Sequence, residues 1–464
     1  MIHLEEVIDV SRPVADCFRY IQDFSTIEQW DPGVYRSSKL TAGTPRVGTR
    51  FAVTVNSAGR RLPMEYVIQE LIPGKLVLLV GEGSGVHAVD RIEFESLGDQ
   101  GTRIRYQADL TLAAAPPVAE PFLKPWLNRV GKKAVQGMKR ALEQECSGLE
   151  EGLLDALKRR AILPGAWDFT EKGYLAMGDK GLSTRLDGKV AVVTGPTSGL
   201  GLATACELSR LGAAVALVGR DGERLASART RVLEFSGAAS ESVRIFDADL
   251  TLKSELNRVA AELATVYPKI DILIHNAGAL FEKREETREG LEKTFAVHVL
   301  APWILTERLK APLSRAGARV ILVSSGGLYT QSLHGDDLQH RKGRFEGAQA
   351  YARAKRAQLG LMSHWTQSWQ GSGVTVNTMH PGWAATPGVA KSLPGFDRRM
   401  KPFLRDSRMG SDTVVWLASS PRVAGKSGQF WFDRKIRPTE VLPGTAISES
   451  EQRELIAALQ QIVE

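Results

Sequence analysis

The chain has 464 residues, 43% of them hydrophobic and 24% charged, and its 60 Lys and Arg against 53 Asp and Glu give a formal net charge of +7. That length exceeds one ordinary hydrophobic core and predicts two domains, while no run approaches the roughly 18 apolar residues of a membrane span. The cations are scattered, without an aromatic-basic ladder or a base-reading helix, so no nucleic-acid partner is expected; a phosphate-bearing cofactor is the simpler account of the charge.

The N-terminal Met-Ile-His-Leu-Glu-Glu has neither the basic start nor the apolar run of a signal peptide. Cys17, Cys146 and Cys206 lie too far apart for metal or disulfide spacing. Reduced thiols in a cytoplasmic setting, and no metal, are expected.

Residues 1–146 predict a separate unit. A strand over 2–10 leads through Ser11-Arg12-Pro13 into a short helix over 15–21. Alternating segments follow at 50–55, 64–70, 75–80, 88–95 and 102–112, and Pro73-Gly74 and Gly81-Glu82-Gly83 mark hairpins between them. A longer helical pattern over 121–142 closes the unit. One long helix across a curved antiparallel sheet would enclose a cavity.

This smaller α+β layout resembles the helix-grip proteins of the START-like (SRPBCC) superfamily, in their polyketide cyclase/dehydrase branch. The likeness is carried by Val10-Ser-Arg-Pro-Val-Ala-Asp-Cys-Phe18, Asp23-Phe24, Trp30-Asp31-Pro32-Gly33 and Gly101-Thr-Arg-Ile-Arg-Tyr-Gln-Ala-Asp-Leu110. The resemblance implies a site for a hydrophobic ligand between sheet and helix. Trp30 and Asp31 read as a structural corner, and the pattern shows no acid/base constellation in this unit.

A connector spans 147–185. Its first part, 149–161, predicts a short amphipathic helix with Leu153, Leu154 and Leu157 on one side, ending in Lys158-Arg159-Arg160. Docking on a neighbouring domain is favoured over peripheral membrane contact.

Residues 186–464 alternate strand and helix. Strands are predicted at 190–194, 214–218, 243–246, 270–275, 319–324, 374–379 and 429–432. Short runs apolar on both faces indicate a Rossmann-type α/β fold, a doubly wound parallel sheet wrapped by helices. The first strand runs into Thr194-Gly195-Pro196-Thr197-Ser198-Gly199-Leu200-Gly201. Gly195 permits the tight turn, Gly199 lets backbone approach a pyrophosphate, Gly201 allows close helix packing, and the following helix offers free N–H groups to phosphate.

The second strand ends in Gly219-Arg220, where an acidic residue would read the ribose of NAD. A guanidinium suits a 2′-phosphate, so NADP (NADPH) is favoured over NAD, with Asp221 as the counter-argument. Asp249, beside Leu250, is placed either to meet the adenine edge or to cap a nearby helix. Asn276-Ala277-Gly278 ends the fourth strand, where small residues leave room for a cofactor.

Tyr351 and Lys355 stand one helical turn apart. A tyrosine is a poor base at neutral pH unless a neighbouring cation lowers its pKa, which is the role Lys355 would play. Ser325 is positioned to orient a substrate carbonyl or hydroxyl.

Together these positions, with Pro381, Gly382 and Thr386 in Pro381-Gly-Trp-Ala-Ala-Thr386, resemble the short-chain dehydrogenase/reductase family. A narrower likeness to one branch is carried by Phe169-Thr-Glu-Lys-Gly-Tyr174, Gly290-Leu-Glu-Lys293 and Asp433-Arg434-Lys435. The resemblance implies that Tyr351 is the acid/base, that Lys355 holds the ribose and tunes it, and that Ser325 positions the substrate. Pro381, Gly382 and Thr386 would lie beside the nicotinamide, and a homo-oligomer is implied, one of whose interfaces the extra domain would block. His298 takes the family's usual fourth catalytic position, an Asn, where a main-chain carbonyl holds a relay water. His275 replaces another Asn and is expected to pack.

The 25 residues between Ser325 and Tyr351 are expected to form one wall of the substrate pocket, and 389–409 a mobile lid. The resulting expectation is an NADP-dependent oxidoreductase interconverting carbonyl and alcohol on an apolar, lipid-like small molecule. Its rival is a non-catalytic ligand carrier whose dehydrogenase fold senses nicotinamide.

Overall fold

The computed structural model describes residues 2–57, 60–112, 120–143, 168–177, 180–314, 317–385, 395, 398, 400–441 and 444–463. The chain divides into two compact units, Met1–Ser147 with Met177–Ser183, and Gly148–Ala176 with Thr184–Glu464. Among the described residues no helix is long and apolar enough to cross a membrane. None of their His, Cys, Asp and Glu side chains gather in a group that would hold a metal.

The first unit is an antiparallel sheet of seven strands in the order β1 (Ile2–Val10), β7 (Thr102–Leu112), β6 (Val86–Ser96), β5 (Leu76–Gly83), β4 (Arg60–Ile72), β3 (Arg50–Ser57) and β2 (Val34–Lys39). Six of these answer to alternating patterns in the sequence. β2 was not expected, because Val34-Tyr-Arg-Ser-Ser-Lys39 lacks apolar alternation and its pairing with β3 shifts register between Val34 and Arg36. It is held by polar contacts: the Ser37 N–H donates to Glu28 Oε2 at 2.6 Å and its hydroxyl to the Phe24 carbonyl at 3.1 Å.

The helix Glu120–Glu143 buries Ala134, Val135, Met138, Ala141 and Leu142, a stripe at helical spacing. A Cβ on Gly137 would lie 1.9 Å from the Trp30 carbonyl oxygen, so the helix reaches the Trp30 corner only because that position is glycine. Inside, Phe24 meets Trp30, Phe51 and Tyr66 ring to ring, and Trp30 meets Tyr106.

The inward positions of β6 are Ala88, Asp90, Ile92 and Phe94, so a carboxyl stands where the pattern places an apolar residue. Tyr106 donates to Asp90 Oδ1, while Oδ2 is buried without a hydrogen-bond partner. Asp31 accepts from the Gly33 N–H at 2.7 Å and feels the charge of Asp90. Burial pushes both carboxyls up to about 6. An acidic pair with two tyrosines is thus assembled from segments too distant in sequence to read as a constellation.

The second unit is a sheet of eight strands, in the order β10 (Val243–Asp247), β9 (Ala214–Gly219), β8 (Val190–Thr194), β11 (Ile272–His275), β12 (Arg319–Val323), β13 (Thr375–Met379), β14 (Phe430–Phe432) and β15 (Lys435–Arg437). The order reverses direction between β8 and β11, which opens a crevice at their carboxyl ends. β10 to β14 are parallel, as expected, whereas β15 returns antiparallel on β14. Its two-residue turn, Asp433-Arg434, has positive φ at both positions (51° and 58°), the geometry that suits the twist of a hairpin.

Two buried ion pairs secure that turn. Arg405 forks onto Asp433 at 2.6 and 2.8 Å, and Arg434 onto Asp412 at 2.8 and 2.7 Å. The helix Glu449–Val463, also absent from the sequence pattern, buries Leu455, Ile456 and Leu459.

The acidic pair of the first unit yields a prediction. Its carboxyls titrate near 6 when folded, above the ordinary 3.8. The stability this contributes is complete below about pH 4 and is lost as pH rises through about 6. Asp90→Asn is expected to flatten that pH dependence and to stabilise the unit at neutral pH by on the order of 1–2 kcal/mol. Urea unfolding across pH 4 to 8 checks it, and an unchanged slope would count against a buried, titrating Asp90.

Candidate active site

The crevice between β8 and β11 is closed at its floor by a threonine and an asparagine. Thr194 Oγ1 donates to the Ile274 carbonyl at 3.2 Å and accepts from the N–H groups of Asn276 and Ala277 at 3.0 and 3.1 Å. Asn276 Nδ2 returns bonds to the carbonyls of Thr194 and Gly195 at 3.0 and 3.1 Å. The two strand ends are therefore joined, with Gly195 at φ 65° between them. A Cβ there would lie 2.8 Å from Ala277 Cα, and one on Gly201 would lie 2.2 Å from the Gly195 carbonyl oxygen.

Thr197 and Ser198 continue the turn, half-buried, and Ser198 is fully extended at φ −164° before the helix Gly199–Arg210 begins. The first N–H groups of that helix, on Gly199, Leu200 and Gly201, have no helical acceptor and lie at the positive end of its dipole. Cβ-free backbone, unsatisfied donors and positive potential fit a pyrophosphate.

Around the expected adenosine end, Arg220 is exposed beyond the end of β9. Asp221 is committed elsewhere: its Oδ1 accepts from the Arg224 N–H at 3.0 Å and caps the helix Gly222–Ser236. Asp249 Oδ1 accepts from the N–H and hydroxyl of Thr251 at 2.9 and 2.8 Å, and Leu250 is buried beside it. The helix Lys253–Val266 that follows is capped by Glu289 instead, through Lys253 and Ser254 N–H.

The predicted reaction residues converge where β12 ends. Ser325 follows the strand and accepts from the Gly327 N–H at 3.3 Å. The helix Gly347–Ser368 carries Tyr351 and Lys355 against it. Lys355 is 3% exposed and donates from Nζ to the Val323 carbonyl at 2.7 Å, with Nζ 5.5 Å from the Tyr351 ring centre.

The expected lowering of the Tyr351 pKa is not found in the chain. Burial raises the phenol above 10, and the Ser325 hydroxyl pulls it back in part. Burial also lowers the Lys355 ammonium to about 7. The physical reason is shared: the lysine is satisfied by a neutral carbonyl, and neither charged form is well solvated there.

His298 is fully buried within a π-turn over Ala296–Leu300. Its ring stands edge-on to Tyr351, with centroids 5.1 Å apart at 89°. A Cβ on Gly278 would lie 2.4 Å from His298 Cε1, so this glycine makes room for the imidazole. His275, by contrast, bonds Thr306 Oγ1 at 2.8 Å inside the core, the packing role expected of it.

Gly382 has φ 77°, and a Cβ on it would meet Arg405 Nε at 2.4 Å. Arg405 in turn donates to the carbonyls of Asp168 and Thr170 at 2.6 and 3.0 Å. The strand-end Pro381-Gly382 is thereby packed on the segment that carries Phe169, whose ring meets His380 and Trp383. Thr386, most of the expected lid at 389–409 and the predicted helix at 149–161 lie outside the described residues.

Two residues at the site carry no signal in the sequence. Gln358 Nε2 donates to the His298 carbonyl at 2.9 Å. His380 is 3% exposed, with Gly326 pressed on its ring. Gln358 was detectable in principle, since its spacing from Tyr351 and Lys355 places it on the inward face of their helix.

Comparison with known proteins agrees with this geometry. The family model for short chain dehydrogenase matches residues 189–395, and that for polyketide cyclase / dehydrase and lipid transport matches residues 1–143. The chain is similar to dehydrogenase/reductase SDR family member 12 of Homo sapiens, 38% identical over 307 residues covering 65% of this chain and 95% of that protein. The Bos taurus counterpart is 36% identical over 305 residues, covering 64% and 95%. Retinol dehydrogenase 14 of Mus musculus is 32% identical over 295 residues, covering 60% and 86%. With relatives matched over nearly their whole length and the parallel, doubly wound sheet they require, the chain belongs to the short-chain dehydrogenase/reductase family of oxidoreductases.

Proposed function

We propose that the second unit is an NADPH-dependent reductase of an apolar, lipid-like carbonyl compound. The observation that carries this reading is the convergence of Ser325, Tyr351 and Lys355 at the end of β12, beside the crevice between β8 and β11. When bound, a reduced nicotinamide supplies the hydride. Tyr351, kept as a neutral phenol by burial, is an acid poised to protonate a carbonyl oxygen. The Ser325 hydroxyl is placed to donate to the same oxygen, and Lys355 returns a proton to the tyrosine.

The preference for NADPH is supported by Arg220, exposed at the end of β9, and by Asp221, whose carboxylate is occupied as a helix cap. An apolar substrate is supported by the likeness to a retinol dehydrogenase and by the match of the first unit to a family described as including lipid transport. The first unit would then hold or present the hydrophobic ligand, within a domain plan of 1–146, 147–185 and 186–464.

Tyr351→Phe is expected to lower the rate of NADPH-dependent reduction of decanal by about 100-fold or more, with NADPH binding within about twofold of the parent. Loss of both would assign Tyr351 to binding. Cofactor binding without turnover by the parent would favour a nicotinamide-sensing carrier.

Arg220→Ala is expected to weaken NADPH binding by about 10- to 100-fold, the worth of a charge-assisted contact to phosphate, and to leave NADH binding unchanged. Titration followed by nicotinamide fluorescence distinguishes this from an equal loss for both cofactors, which would remove Arg220 as the phosphate reader.

A further inference from the structure

The backbone at His298 is irregular for a reason written in the chain. In a regular helix the carbonyl of residue 298 accepts from the N–H of residue 302, but residue 302 is proline and has none. The helix passes through a π-turn over Ala296–Leu300, closed by the Ala301 N–H on the Ala296 carbonyl. The His298 carbonyl is taken by a side chain: Gln358 Nε2 donates to it at 2.9 Å, from a residue only 1% exposed. Gln358 shares its helix with Tyr351 and Lys355, so one element sets both the reacting phenol and the clamp.

The clamp leaves His298 with one open acceptor. Nε2 lies 2.8 Å from the Ala279 carbonyl oxygen and 3.3 Å from the Ala279 nitrogen. The shorter contact places the ring proton on Nε2. Nδ1 is then a bare lone pair, buried without a hydrogen-bond partner. It belongs to a ring that stands edge-on to Tyr351. Burial and the nearby Lys355 charge keep that ring neutral, and hence an acceptor.

We infer that the proton restoring Tyr351 enters through a water held on His298 Nδ1, and that Gln358 is the positioning residue that enforces this route by closing the main-chain carbonyl. The inference rests on the reductase reading above. After reduction, Tyr351 has given its proton to the substrate oxygen and is a phenolate. Lys355 passes a proton to it, and the Nδ1-bound water passes one to Lys355, leaving hydroxide that a solvent proton neutralises. The balance is one proton taken up per carbonyl reduced, and the imidazole stays neutral throughout.

Four full-length proteins decide the point: the parent, His298→Asn, Gln358→Leu and the double variant, each reducing decanal with saturating NADPH. His298→Asn removes Nδ1 while the carbonyl stays closed, so kcat falls about tenfold or more with KM nearly unchanged. Adding Gln358→Leu reopens the carbonyl and recovers at least about fivefold of that loss, a coupling of opposite sign to simple additivity. If Gln358 only supports the fold, the double variant is worse than either single one, and the route is overturned.

A second readout needs no turnover. Nitrogen-15 spectra of histidine-labelled protein should show His298 with its proton on Nε2 in the parent and both tautomers in Gln358→Leu. A proton on Nδ1 in the parent overturns the inference outright. Absence of reduction by the parent retires the reductase reading and the route together, whereas reduction with additive losses retires the route alone.

Discussion

Lys355 donates to the Val323 carbonyl at 2.7 Å from a position that is 3% exposed, and the rest of the candidate site is arranged around that contact. A buried ammonium paired with a carbonyl rather than a carboxylate is held in a balance between desolvation and hydrogen bonding, which is why burial brings it down to about 7. The contact ties the helix Gly347–Ser368 to the end of β12. Ser325, one step beyond that strand, and Tyr351, one turn before the lysine, are brought together as a consequence. Gln358, on the same helix, extends the arrangement to the His298 backbone.

The crevice on the other side of β12 obeys a related constraint, which is close approach of backbone. Gly195 stands against Ala277, Gly201 against the Gly195 carbonyl and Gly278 against the His298 ring. None of the three tolerates a Cβ without displacement of its neighbour. Asn276 and Thr194 supply the hydrogen bonds that hold two separate strand ends in one rigid floor. Electrostatic preorganisation of this kind, fixed dipoles in place of mobile water, is what a hydride-transfer site requires of its protein.

Buried charge is handled differently elsewhere in the chain. Around the Asp433-Arg434 turn the guanidinium forks meet carboxylates face to face, which satisfies both partners and pins a backbone at positive φ. In the first unit Asp90 has a phenol for one oxygen and nothing for the other, so it keeps its proton to higher pH. Breaking a pair of the first kind costs several kcal/mol because a charge is left buried. Replacing an acid of the second kind removes a liability.

The parallel strands, the glycine-rich turn and the Tyr351–Lys355 spacing were legible in the chain because each is local: a run of β-branched residues, a turn that needs φ above zero, two side chains one helical turn apart. The same locality explains most of the antiparallel unit, whose β1 and β7 follow their alternation from end to end. The edge strands β2 and β15 were not legible, since polar contacts and an ion-paired hairpin, not hydrophobic period, hold them in place. Residue types and spacing therefore determined by themselves the fold class and which side chains could react. Tertiary structure alone decided that burial raises Tyr351 instead of lowering it, that Asp221 is a helix cap, that Asp31 meets Asp90, and that Gln358 closes the His298 carbonyl. Each depends on distances and desolvation between segments far apart in the chain, and no one-dimensional pattern encodes those.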